Sequence, residues 1–107
     1  MSGHQRLDAR SLAMHRAIAV KLRQDPTLLA IAHDNLDRWS VSSGGSQPYF
    51  DAWRELLELP LVDLLERILE ESERMTAMRQ TNPFAGILTP TERWAIYDQF
   101  PPEAPTV

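Results

Sequence analysis

Cysteine is absent from the 107 residues, which excludes a disulfide framework and a thiolate zinc site and fits a reducing compartment. No apolar run approaches the roughly 20 residues needed to span a bilayer. The opening Met1-Ser2-Gly3-His4-Gln5-Arg6 lacks the apolar stretch of a secretion signal, so the expectation is a cytoplasmic chain that makes no membrane contact. Strand-like alternation and internal repeats are missing, and so are a P-loop, a dinucleotide fingerprint and a His-Glu-x-x-His pair. Histidines number three, His4, His15 and His33. His33 and Asp37 stand one helical turn apart, but two ligands on an exposed face make a poor metal site. These absences point to a chain that is not an enzyme, takes no metal or cofactor, and acts by touching something else.

What is present is an ordinary globular composition, 43% hydrophobic and 24% charged, enough for one domain over residues 1–107 with a small core and marginal stability. The net charge of −4 is unevenly spread. Residues 1–24 carry Arg6, Arg10, Arg16, Lys21 and Arg23 against Asp8 alone, whereas the remainder is strongly acidic. A basic first helix on an acidic body either meets nucleic acid or an acidic protein, or simply keeps an apolar stripe in solution.

The periodicity predicts an all-α bundle of about five helices. Over 6–24, Leu7, Met14, Ile18 and Leu22 recur at helical spacing. Asp25-Pro26 supplies an N-cap and a first-turn proline for a second helix over about 26–39, with Leu28, Ala32, Leu36 and Trp39 inward. Residues 40–47, rich in serine and glycine, read as a flexible loop. Pro48 opens a short helix that points Tyr49, Trp53, Leu56 and Leu57 to the core, and Leu59-Pro60 breaks it. One uninterrupted helix is expected over 61–79, with Leu61, Leu65, Ile68, Ser72 and Met75 on its inner side and Asp63–Arg67 and Glu70–Arg74 paired outside. Thr89-Pro90-Thr91-Glu92 is a capping box for a last helix over about 90–99, with Trp94 and Tyr97 turned inward. Residues 1–5 and 101–107 are expected to be loose.

Polar residues inside apolar stripes are the first candidates for function. Ser11 and His15 fall on the inner face of the first helix and Asn35 on that of the second. Either they form a network that ties helices to each other or to the 79–86 loop, or this face is an interface. The cluster Arg79-Gln80-Thr81-Asn82-Pro83-Phe84-Ala85-Gly86 is equally two-sided. Phe84 suits an anchor, Gly86 a positive φ and Arg79 a helix C-terminus, yet arginine and aromatic side chains on a shaped loop are also what binding hot spots use. Trp39, Trp53 and Trp94 share that ambiguity. For nucleic acid, Arg6, Arg10, Arg16, Lys21 and Arg23 would give weak, salt-sensitive, sequence-blind binding, while Asp34 and Asp37 on the second helix would repel phosphate.

The stretches Leu7 to His15, Asp34-Asn35-Leu36-Asp37-Arg38-Trp39, Arg79 to Gly86 and Glu92-Arg93-Trp94 together resemble a group of short bacterial helical proteins that look like the antitoxin-like partners of two-gene toxin–antitoxin modules. Some members of the group stand beside nucleotidyltransferase-like toxins. The likeness spans most of residues 7–100. It implies a cognate toxin as protein partner, no active site, and a shared role for the residues that match the group's pattern, in partner contact or in specifying the fold. Those residues are Ser11, His15, Asn35, Arg38, Trp39, Arg79, Gln80, Pro83, Phe84, Gly86, Arg93 and Trp94. The long extended tail of many antitoxins has no counterpart beyond residues 101–107.

Overall fold

A computed structural model describes residues 3–42 and 47–101. Among these the chain forms six α-helices and one 3-10 turn, with no strand. The helices are α1 (Gly3–Gln24), α2 (Leu29–Ser42), α3 (Gln47–Leu57), α4 (Leu61–Ile68), α5 (Glu73–Arg79) and α6 (Pro90–Gln99), and the 3-10 turn is Pro26–Leu28. No helix among the described residues is long and apolar enough to cross a membrane.

Each boundary has a local cause. Asp25 stops α1 and its side chain accepts from the Thr27 backbone N–H, so Pro26 begins a tight 3-10 turn before α2 proper starts at Leu29. The second helix therefore begins three residues later than its proline suggests and runs on through Ser42. Ser40, Val41 and Ser42 are helical and Gln47 opens α3, so only 43–46 of the expected flexible stretch is left, and these lie outside the described residues, as do residues 1, 2 and 102–107. α1 begins at Gly3, earlier than the apolar spacing indicates. At Thr89 the capping box is complete: the threonine hydroxyl accepts from the Glu92 N–H at 3.1 Å and the Glu92 carboxylate accepts from the Thr89 N–H at 2.7 Å.

The uninterrupted helix expected over 61–79 is two helices. α4 ends at Ile68, and Ser72 caps α5, its hydroxyl accepting from the Met75 N–H at 3.1 Å. Ser72 is thus a cap and not part of an inner stripe. The carbonyls freed at the end of α4 are taken by Arg79, whose Nη1 donates to Ile68 O at 3.1 Å and Glu70 O at 2.8 Å. A cation on the last carbonyls of a helix is favourable on both hydrogen-bonding and dipole grounds. The expected Glu70–Arg74 pair gives way with the break, and Arg67 meets Glu70 instead, at 3.5 Å.

The core gathers Ile18, Leu22, Leu36, Trp53, Leu64, Ile68, Met78 and Phe84 from every layer of the bundle. Trp53 is fully buried and its Nε1 donates to Met78 O at 3.1 Å, so its one polar atom is satisfied. Phe84 stands edge-on to both Trp53 (5.4 Å between ring centroids) and His15 (5.8 Å), joining α3 to α1 through the α5–α6 connection. α6 lies antiparallel along α1: Arg6, Arg10 and Lys21 meet Phe100, Tyr97 and Glu92 in reverse order.

Candidate functional site

The polar residues singled out in the sequence divide into two sets. The inner set joins elements. Asn35 is buried in α2 and donates from Nδ2 to Pro83 O at 2.8 Å and to Ala85 O at 2.9 Å, while its Oδ1 accepts from Arg38 Nη2 at 2.6 Å. One carboxamide therefore fastens α2 to the 80–89 connection and orients an exposed arginine. The connection is itself shaped by Asn82, whose Nδ2 donates to Arg79 O (3.1 Å) and whose Oδ1 accepts from the Phe84 N–H (3.0 Å), and by Gly86 at φ +97°. Arg79 is buried with 4% exposure, its Nη2 reaching Thr76 Oγ1 at 3.3 Å. Burial works against its charge and the neighbouring carboxylates of Asp8, Glu71 and Glu70 work for it.

His15 belongs to the inner set but is only half satisfied. It has 1% exposure, and its Nδ1 lies 2.8 Å from Ser11 O, one turn back on α1. A carbonyl oxygen can only accept, so Nδ1 carries the proton and Nε2 presents a lone pair. Nε2 is buried and has no hydrogen-bond partner in the chain. Burial pushes the imidazole down to about 4, the hydrogen bond to Ser11 pulls it up, and the Arg79 charge lowers it further. The ring is therefore neutral at pH 7. It lines a recess of about 270 Å³ between α1 and the start of the connection, with Ser11, Met14, Ile18, Arg79, Gln80 and Asn82 among its other walls.

The outer set lies where α1 meets α6. Trp94 was expected to face the core, but it is 63% exposed. Ile96 is the buried residue of α6, and Glu92 turns to α1, which leaves Trp94 on the outer flank. Trp94 stacks edge-on against Tyr97 (5.6 Å), and the Arg10 guanidinium lies over the Tyr97 ring, 4.7 Å from its centroid. Arg6 donates to Phe100 O at 3.2 Å. Together with Asp98, Phe100 and Pro101 these side chains line an open hollow of about 400 Å³. Arg93, beside Trp94, is exposed.

Of the residues the resemblance marks, the structure brings His15, Asn35, Arg79 and Phe84 together inside the fold, with Ser11 half-buried beside them. Arg38, Gln80, Arg93 and Trp94 are exposed, and Trp39 is half-buried against Phe50 at 6.1 Å. Of the basic residues on α1, Lys21 is turned into the fold, where Nζ donates to Ile87 O (2.9 Å) and Glu92 Oε1 (2.8 Å). That contact, with the Thr89 N–H, holds the Glu92 carboxyl down at about 2. Arg16 and Arg23 are exposed. Among the described residues no group of three or more histidine or carboxylate side chains could hold a metal. Sequence reasoning missed the half-buried Tyr97 as the stacking partner of Trp94 and of Arg10, and Arg6 as the contact of Phe100, because their meeting depends on the packing of helices about 90 residues apart in the chain. Comparison of the chain with protein-family models, with curated proteins and with solved structures gave no match.

Proposed function

We propose that this chain is a non-enzymatic interaction protein whose contact surface is the outer side of α1 and α6, and that its partner is a protein of opposite charge, in the form implied by the resemblance a cognate toxin whose site it masks. The observation that carries this reading is Trp94, a large aromatic residue left 63% exposed beside Tyr97, Arg10 and Arg6. Tryptophan, tyrosine and arginine are the residues that dominate binding energy at protein interfaces. Tyr97 and Arg10 are already held against each other, so little side-chain entropy is lost when a partner arrives. Arg6, Arg10 and Arg93 give the surface a positive field that steers a carboxylate-bearing partner to it. Masking requires no chemistry from this chain, only burial of the partner's site beneath it.

Nucleic acid is the less favoured partner. Lys21 is committed to Glu92 and Ile87, Arg6 to Phe100 and Arg10 to Tyr97, which leaves Arg16 and Arg23 as the exposed cations of the original five. Phosphate binding of useful strength draws on several such contacts at once.

Co-expression of this chain with the product of the adjacent gene, followed by capture through a tag on this chain, tests the proposal. The expected result is a stable complex that resists moderate salt and releases a toxic activity when the partner is freed. A chain that emerges alone, together with a neighbour whose activity it leaves unchanged, would contradict it.

A further inference from the structure

The hollow beside Trp94 is open to solvent, and its length and chemistry select among the segments a partner protein can present. Trp94 is 63% exposed and Tyr97 is half-buried beside it. Their rings stand at 88° with centroids 5.6 Å apart, so the indole and the phenol meet at a corner. Arg6, Arg10, Phe100 and Pro101 are among the other walls of this space of about 400 Å³. From Trp94 to Phe100 the floor covers roughly 9 Å along α6 and its C-cap, at about 1.5 Å per residue.

That length decides between backbone conformations. A partner's helix laid along it would touch with fewer than two turns. A segment in strand conformation needs an edge to pair with, and no strand is present among the described residues. A polyproline II segment has neither requirement. Its backbone stays solvated without internal hydrogen bonds, and at about 3.1 Å per residue roughly three of its residues match the floor.

The walls suit the same occupant. An open hollow encloses little of what it binds, so it favours a segment that is stiff beforehand and loses little entropy on docking. Proline-rich segments dock in aromatic-lined grooves on these terms. Arg6 and Arg10 on the walls outnumber Asp98, and Arg93 is exposed next to Trp94. This excess of positive charge attracts a carboxylate on the incoming segment and opposes a lysine or an arginine.

We propose that, with the α1/α6 face as the contact surface, this hollow binds a short polyproline II segment of the partner in which prolines are flanked by glutamate or aspartate. One pyrrolidine ring sits in the corner of Trp94 and Tyr97, and the adjoining carboxylate lies in the field of Arg6, Arg10 and Arg93.

Four probes separate the alternatives: the capped peptide Pro-Pro-Glu-Pro-Pro-Glu-Pro, a twin with lysine for glutamate, a twin with alanine for proline, and single-stranded oligodeoxythymidine of the same length. Each is titrated into the full chain at pH 7 while the indole N–H groups of Trp39, Trp53 and Trp94 are followed by nitrogen-15 NMR. The acidic proline peptide is expected to move the Trp94 signal saturably and to leave that of the buried Trp53 in place. The alanine twin is expected to bind about tenfold more weakly and the lysine twin several-fold more weakly. Trp94→Ser, read on the Ala95 amide, should weaken the acidic peptide about tenfold. Equal binding of the proline and alanine peptides, tighter binding of the lysine twin or of the oligonucleotide, or no saturable movement of the Trp94 signal would each overturn the proposal. No cognate partner enters these titrations. A partner that loses affinity with Trp94→Ser while the acidic peptide fails to bind would therefore remove the polyproline assignment and leave the contact face standing.

Discussion

Lowering the pH from 7 to 5 is expected to destabilise this fold by about 2 kcal/mol through the His15 ring alone. The folded protein holds the imidazole at about 4 against 6.5 for the free side chain. The unfolded chain therefore binds the proton more readily than the folded one between those values. Stability from this group is complete above 6.5 and is lost as the pH falls towards 4, for a full effect of about 3 kcal/mol at about 1.4 kcal/mol per unit. At pH 5 most of that has gone, which leaves the figure of about 2 kcal/mol. Urea titrations followed by tryptophan fluorescence at pH 7 and pH 5 read this directly, since Trp53 is buried. With a denaturant slope of about 1–2 kcal/mol per M for a small chain, the midpoint should fall by about 1–2 M. His15→Gln should flatten the dependence. Arg79→Met should shrink it, because the guanidinium is one cause of the depressed value. A His15→Gln variant that keeps the wild-type pH slope would refute the reasoning.

Gly86→Ala should cost about 1–2 kcal/mol, because φ +97° is unfavourable for an L side chain; the added Cβ would meet Ile31 Cγ2 at 3.7 Å, an ordinary contact, so the loss in thermal unfolding reads backbone strain and not a clash. Asn35→Asp keeps the shape but sets carboxylate oxygens against Pro83 O and Ala85 O in place of two N–H donors, and a loss of about 2–4 kcal/mol is expected by urea titration. In Lys21→Met the Glu92 carboxyl should titrate above the value of about 2 that it has in the wild type when followed by carbon-13 NMR, because Lys21 is the largest cause of its shift. In the wild type, that contact contributes stability which is lost as the pH falls from 4.5 towards 2.

Much of this architecture is legible in the chain where the cause is local. Thr89 and Glu92 are three apart and cap each other, Asp25-Pro26 restarts the chain, and Gly86 takes the positive φ that its loop position suggests. Asn35 is legible for a different reason: a carboxamide within an apolar stripe must find partners, and it finds Pro83 and Ala85. The break between α4 and α5 is not legible, because Leu65, Ile68 and Met75 stay in phase across it and no glycine or proline marks it. It is stabilised by Arg79 returning to Ile68 and Glu70, a tertiary contact. Trp94 misleads for a related reason. In a ten-residue helix with Ile96 as its buried residue, hydrophobicity alone does not fix which side faces in, and the ion pair of Lys21 with Glu92, 71 residues apart, helps to set the rotation. The same pairing turns a cation that the sequence offers to nucleic acid into an internal strut.

The exposed Trp94 of α6 is the proposed point of contact between this chain and its partner. Titration calorimetry of the captured partner against wild type and Trp94→Ser measures that directly. The expected result is a Kd raised about 30-fold, the size of a hot-spot loss near 2 kcal/mol, with the melting temperature unchanged because the side chain is 63% exposed. An unaltered Kd in a variant that folds as wild type would contradict the central claim.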